Sequence, residues 1–176
     1  MASEPSAPFI VTAELPSDVL AFADKLRRAH YPPERNKLQA HVTLFHSFAP
    51  SLREELRGYL PCVAGEYAPP EAAVIGLMDL GGGTAIELAS DGMLAIREHI
   101  AEHFHGSLTA QDRHQPRLHI TIQNKVAEEA ARALQRELAP VLGKRDFHFT
   151  GLGLHLYRGG PWEALGSWRF RGRAYG

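Results

Sequence analysis

The tetrapeptides His41-Val42-Thr43-Leu44 and His119-Ile120-Thr121-Ile122 carry one pattern twice, each inside an apolar, β-branched run that reads as a strand. Side chains alternate across a strand, so in each motif His and Thr point to one face and the aliphatic residues to the other. The surroundings repeat as well: each run has a helical pattern before it and another after it. A chain written this way is constrained to fold as two related halves, with the two polar faces available to meet.

Two further His-x-[Ser/Thr] triplets, His105-Gly106-Ser107 and His148-Phe149-Thr150, show that the triplet alone is weak evidence in a chain of ten histidines. The first comes after a helical pattern and contains Gly, so it reads as a turn. The second runs into Gly151 and reads as a surface or edge pair. Only His41 and His119 have strand-like sequence on both sides.

Along the chain, residues 9–15 form a β-leaning run ended by Pro16. Ser17 is the expected cap of a helix in which Val19, Leu20, Phe22, Ala23 and Leu26 recur at helical spacing, up to Tyr31-Pro32-Pro33. The first motif strand is expected over about residues 40–45, then a helix capped by Ser51 and stopped by Pro61. Residues 73–80 and 84–89 flank Gly81-Gly82-Gly83 and read as a hairpin whose glycines make a turn, not a phosphate cradle. Next come a helix from Asp91 to about Phe104, a polar loop, the second motif strand over about 118–123, and a helix over about 125–138 stopped by Pro140. The tail reads as two or three closing strands. Helix, motif strand, helix occurs in both halves, which predicts two lobes whose sheets face each other across a cleft.

A length of 176 residues suits one domain, taken as 1–176 with a flexible start at 1–7, and 44% hydrophobic and 22% charged residues are ordinary for a globular chain. The net charge of −1 gives no global basic field for long nucleic acid, while leaving room for a local basic cleft. One cysteine, Cys62, excludes an internal disulfide framework and fits a reducing compartment. No secretory signal or membrane-length apolar run is present, so a cytoplasmic protein is expected.

Histidine exists in both protonation states near neutral pH, and cleavage of a phosphodiester needs one group to take a proton and another to give one. His41 and His119 on opposite sides of a phosphorus fit that need without a metal. Thr43 and Thr121 are placed to donate to the non-bridging oxygens. If the second strand stays extended, Arg117, His119, Thr121, Gln123 and Lys125 share a face, which adds Arg117 and Gln123 as candidate substrate contacts. Lys125 reads as surface beyond the strand. By the same parity Phe45 shares the His41 face and is a candidate to stack on a base. Leu152, Leu154 and Leu156 should pack against helices, turning His155 and Tyr157 the other way, so Tyr157 is a further candidate. His99 and His103, one turn apart, have no third ligand, and no metal or cofactor is expected.

At these residues the chain resembles the two-histidine (2H) phosphoesterase superfamily, which includes 2′,5′ RNA ligase-like proteins and cyclic nucleotide phosphodiesterases. The resemblance rests on the paired motifs, on Ala40-His-Val-Thr-Leu-Phe-His46 after a helix and Leu118-His-Ile-Thr-Ile-Gln-Asn-Lys125 before one, and on the ending from Leu152 through Trp162. It implies an α+β, bilobal fold of pseudo-two-fold related antiparallel sheets around a central cleft, with helices outside. It also implies metal-independent cleavage or transfer at 2′,3′-cyclic or 2′,5′-linked nucleotide phosphates, with His41 and His119 as acid and base and Thr43 and Thr121 binding phosphate. The implied partner is a small nucleotide or an RNA terminus, with no membrane and no obligate protein partner. One departure stands out: the family pattern has Pro directly before the second His, whereas Pro116 here is followed by Arg117 and Leu118, which alters the pocket mouth. The rival expectation is a non-catalytic nucleotide- or RNA-binding module of the same fold.

Overall fold

The computed structural model describes residues 7–173. The expected flexible start at 1–7 therefore lies outside the described residues except for Ala7. Strands β1 (Phe9–Glu14), β2 (Val42–Phe48), β7 (Gly151–Leu156) and β8 (Glu163–Arg169) form one four-stranded sheet in the order β2-β1-β7-β8. Strands β3 (Glu71–Asp79), β4 (Thr84–Ala89), β5 (His119–Gln123) and β6 (Arg145–His148) form the other, in the order β5-β4-β3-β6. Every pairing is antiparallel. The fold is α+β and bilobal, as expected: β2 and β5, the motif strands, occupy the same edge position in their two sheets.

Four helices accompany the sheets: α1 (Ser17–His30), α2 (Arg53–Glu66), α3 (Asp91–His103) and α4 (Glu128–Leu142). Their apolar faces join both sheets in one core that includes Val19, Leu56, Ile96 and Leu134. The α1 cap is Pro16, with Ser17 inside the helix, whereas Ser90 caps α3 by accepting the Met93 N–H at 3.2 Å. α1 ends directly before Tyr31-Pro32-Pro33, as expected, but Pro61 and Pro140, also expected as stops, do not end their helices. Pro61 lies within α2 and Pro140 within the last turn of α4. A proline inside a helix loses one hydrogen bond. The buried stripe Leu56, Leu60, Val63, Ala64 runs past Pro61 and carries α2 onward.

The glycine triplet is the β3–β4 turn. Gly81 takes φ +79°, in the left-handed region that favours glycine, and the Leu80 N–H donates to the Gly83 carbonyl at 3.0 Å. Among the described residues, no helix is long and apolar enough to cross a membrane.

Both motif strands are bulged at the same place. On β2, Thr43 faces Thr12 but Phe45 faces Val11, so Leu44 is an extra residue. On β5, Thr121 faces Ala85 but Gln123 faces Thr84, so Ile122 is the extra one. A bulge breaks alternation and re-aims the side chains beyond it. The last position of each tetrapeptide is therefore where the strand turns its next side chain inward.

Candidate active site

Two placements expected from strict alternation are corrected by these bulges. Phe45, expected on the cleft face as a stacking candidate, is fully buried and packs against Phe48, with the Arg97 guanidinium 4.3 Å from its ring centre. Gln123, expected beside Thr121, is also buried, and its Oε1 accepts the Thr84 hydroxyl at 3.0 Å. Lys125 is exposed past the end of β5 at φ +59°. The other candidates are distributed over two cavities.

A cavity of about 630 Å³ is lined by His41, Thr121, Tyr157 and Trp162 together with the cations Arg27, Arg35 and Lys37. A second, of about 310 Å³, is lined by His119, Thr43, Arg117, His46 and His114. The pairing is crossed: each histidine shares its cavity with the threonine of the other motif. The first cavity is a local basic cleft of the kind the net charge leaves room for, with no acidic lining residue among the described residues. In the second, Arg117 pairs with Glu87 at 2.8 Å, and Glu87 faces His119 across β4 and β5.

The two imidazoles are held alike. Nδ1 of His41 lies 2.8 Å from the Gln39 carbonyl oxygen, and Nδ1 of His119 lies 2.7 Å from that of Arg117. A carbonyl only accepts, so Nδ1 carries the proton in each ring and Nε2 is the atom left for a substrate. Their surroundings differ. The Trp162 indole covers His41, with ring centres 4.5 Å apart. Burial pushes the pKa of His41 down from its ordinary value to about 4, against a raising effect from the Gln39 carbonyl, and Arg27, His155 and His119 add repulsion. His41 is a neutral imidazole at pH 7.

Behind each motif lies a buried arginine from a helix. Arg27 of α1 donates from Nη1 to the Thr121 carbonyl at 2.7 Å and from Nε to Asn36 Oδ1 at 3.2 Å, with its guanidinium 4.3 Å from the Tyr31 ring centre. Arg97 of α3 donates from Nε to the Leu44 carbonyl at 3.3 Å and from Nη2 to the Asp112 carbonyl. Each guanidinium thus satisfies a carbonyl at a bulge and rests on an aromatic face. The Asp112 carboxylate accepts the backbone N–H groups of His46 and Ser47. Burial alone would raise its pKa, yet these donors, with the His46 side chain, hold it below the ordinary carboxylate range. That carboxylate anchors the polar loop before β5 to the strand carrying His41.

Sequence inspection passes over Arg27, Arg97 and Trp162. The arginines have a signal: Val19, Ala23, Arg27 and Met93, Arg97 continue buried helix faces at i, i+4 spacing, and a cation there needs partners. Trp162 is brought over His41 by the hairpin after Gly160-Pro161, which local pattern does not foretell. His99 and His103 are engaged elsewhere, with Tyr67 at 2.6 Å and Glu55 at 2.9 Å. Of the other two His-x-[Ser/Thr] triplets, His105 opens a short 3₁₀ turn and His148 ends the edge strand β6.

A family model described as the 2′-5′ RNA ligase superfamily matches residues 15–161. Solved structures share the fold. TT0787 of Thermus thermophilus has a TM-score of 0.66 at 16% identity, covering 95% of this chain and 100% of that one. A solved phosphoesterase has a TM-score of 0.60 at 15% identity, covering 94% of this chain and 99% of that one. LigT of E. coli complexed with NADP+ has a TM-score of 0.57 at 14% identity, covering 95% and 99%. A search of curated protein sequences gave no significant match.

Proposed function

The chain belongs to the 2′-5′ RNA ligase superfamily, and from that premise we propose that it is a metal-independent phosphodiesterase acting on 2′,3′-cyclic or 2′,5′-linked nucleotide or RNA-end phosphodiesters. His41 and His119 are the base and acid, and Thr43 and Thr121 bind the phosphate oxygens. The observation that carries this reading is the crossed pair of carbonyl-anchored imidazoles, each presenting Nε2 toward a cavity shared with the other motif's threonine. LigT of E. coli has been solved with 3′-AMP and with NADP+, which supports a nucleotide in the corresponding cleft.

In the hydrolytic direction, water attacks phosphorus and His41 Nε2 takes its proton, a role suited to an imidazole kept neutral by burial. The bond from phosphorus to the leaving ribose oxygen breaks, and His119 supplies the proton to that oxygen. The threonine hydroxyls donate to the non-bridging oxygens, and Arg27, Arg35 and Lys37 balance the phosphate charge from the larger cavity. The reverse exchange of roles serves transfer to a ribose hydroxyl.

The test is a panel of 2′,3′-cyclic nucleotides and 2′,5′-linked dinucleotides, with products assigned by phosphorus NMR in the presence and absence of chelator. A single-site phosphomonoester product formed equally with chelator is expected. Chelator-sensitive turnover would contradict the metal-independent scheme, and saturable binding with no product from any substrate would make the chain a binding module.

A further inference from the structure

We propose that the pocket that shares His41, Pro161 and Trp162 with the phosphate cavity is a base-reading subsite that takes guanine, with Glu14 as its reader. This deepens the phosphodiesterase reading and rests on it for the ligand being a nucleotide. The pocket has a volume of about 300 Å³ and borders His41 directly, with Trp162 and Pro161 from the β7–β8 hairpin on one side. Leu15, Leu20 and Leu38 give it apolar walls suited to a flat ring. Trp162 makes tilted ring contacts with both His41 and His155, with ring centres 4.5 and 5.5 Å away, so a base held against the indole belongs to a nucleotide whose phosphate is at His41.

Three polar side chains of this pocket, Thr12, Glu14 and His155, converge on one point, and Lys37 and Gln39 line it as well. Thr12 Oγ1 lies 3.0 Å from His155 Nε2, and a Cβ added to Gly153 would come within 2.9 Å of His155 Nε2 and closer still to Glu14 Oε1 and Thr12 Oγ1. Only glycine leaves room for those three atoms to gather. Glu14 forms no ion pair with any described residue, and burial raises its carboxyl pKa, partly offset by the Ser167 hydroxyl. Burial also lowers the pKa of His155, so no charged partner for the carboxylate arises there. The phosphate chemistry needs none of these groups.

A carboxylate offers two acceptors side by side. Guanine alone among the four bases presents two adjacent donors, N1–H and the N2 amine, on its Watson–Crick edge. Adenine, cytosine and uracil each set a ring nitrogen lone pair or a carbonyl against one of the carboxylate oxygens. A mispaired buried polar contact is worth about tenfold or more in affinity. The carboxylate is thus both the attraction for guanine and the penalty against the others.

The experiment is calorimetric binding of 3′-GMP and 3′-AMP to the full chain, to Glu14→Gln and to Trp162→Ala, with thermal melts to confirm that each variant is folded. The wild-type chain is expected to bind 3′-GMP at least about tenfold more tightly than 3′-AMP. Glu14→Gln is expected to bring the two within about threefold, because its amide donor opposes one guanine donor. Trp162→Ala is expected to weaken both alike, since stacking is blind to base identity. Equal wild-type affinities, a ratio preserved in Glu14→Gln, or no loss in Trp162→Ala would each overturn the subsite. Because the readout is binding, guanine preference without turnover would contradict only the phosphodiesterase reading, and turnover without base preference only the subsite.

Discussion

The two motif sites are alike in backbone and unlike in setting. Each places a histidine at the start of a bulged edge strand, anchors Nδ1 on the carbonyl two residues earlier, and sets a buried helix arginine against a carbonyl at the bulge. The His41 side is roofed by Trp162 and ringed by Arg27, Arg35 and Lys37. On the His119 side the lining cation Arg117 is paired with Glu87. Symmetry of the backbone supplies two equivalent proton-transfer atoms. In the proposed reaction the asymmetry of the surroundings would give them different tasks: burial favours the neutral imidazole at His41, which suits it to the base role and His119 to the donor role.

The largest effect that tests this comparison is removal of either imidazole. His41→Ala and His119→Ala are each expected to lower turnover of a 2′,3′-cyclic phosphate by at least about 10²-fold, measured as kcat by phosphate-product assay. Full turnover in one of the two would show that the halves do not act as partners.

A smaller effect sharpens the comparison of the arginines. Arg97 donates to two backbone carbonyls, those of Leu44 and Asp112, whereas Arg27 donates to one and to the Asn36 side chain. Arg97→Met and Arg27→Met are each expected to lower unfolding stability by about 1–3 kcal/mol, with Arg97→Met the more damaging, because a buried carbonyl left without a donor is costly. Denaturant melts measure this. Equal stability of both variants with the parent would remove the carbonyl contacts from the account of how the motifs are held.

Much of this is legible in the chain. The motif pair, the hairpin, the lobed order of elements and the choice of His41, Thr43, His119 and Thr121 over His105 and His148 all come from alternation and flanking pattern. The errors have one main source. Strict alternation carried through Leu44 and Ile122, where each strand has an extra residue, puts Phe45 and Gln123 in the cleft and not in the interior. Both bulge residues are aliphatic, like many other strand residues, and nothing local marks them. Trp162 and Glu14 reach His41's surroundings through sheet pairing between distant segments, a relation that no local period encodes. Arg27 and Arg97 are readable, as cations on apolar helix faces.

The central claim is that one fold holds His41 as a neutral base beside its partner, and nitrogen-detected NMR of histidine-labelled protein tests it most directly. Stability linkage gives the sign: a histidine whose folded pKa is depressed stays neutral while the unfolded chain protonates, so His41 weakens folding as pH falls from its ordinary pKa of 6.5 toward about 4. The His41 ring is expected to titrate near 4, to carry its proton on Nδ1 with Nε2 bare at pH 7, and to move back toward 6.5 in Trp162→Ala. A His41 resonance that titrates at or above 6.5 in the parent protein, or one proton-bearing at Nε2 at pH 7, would contradict it.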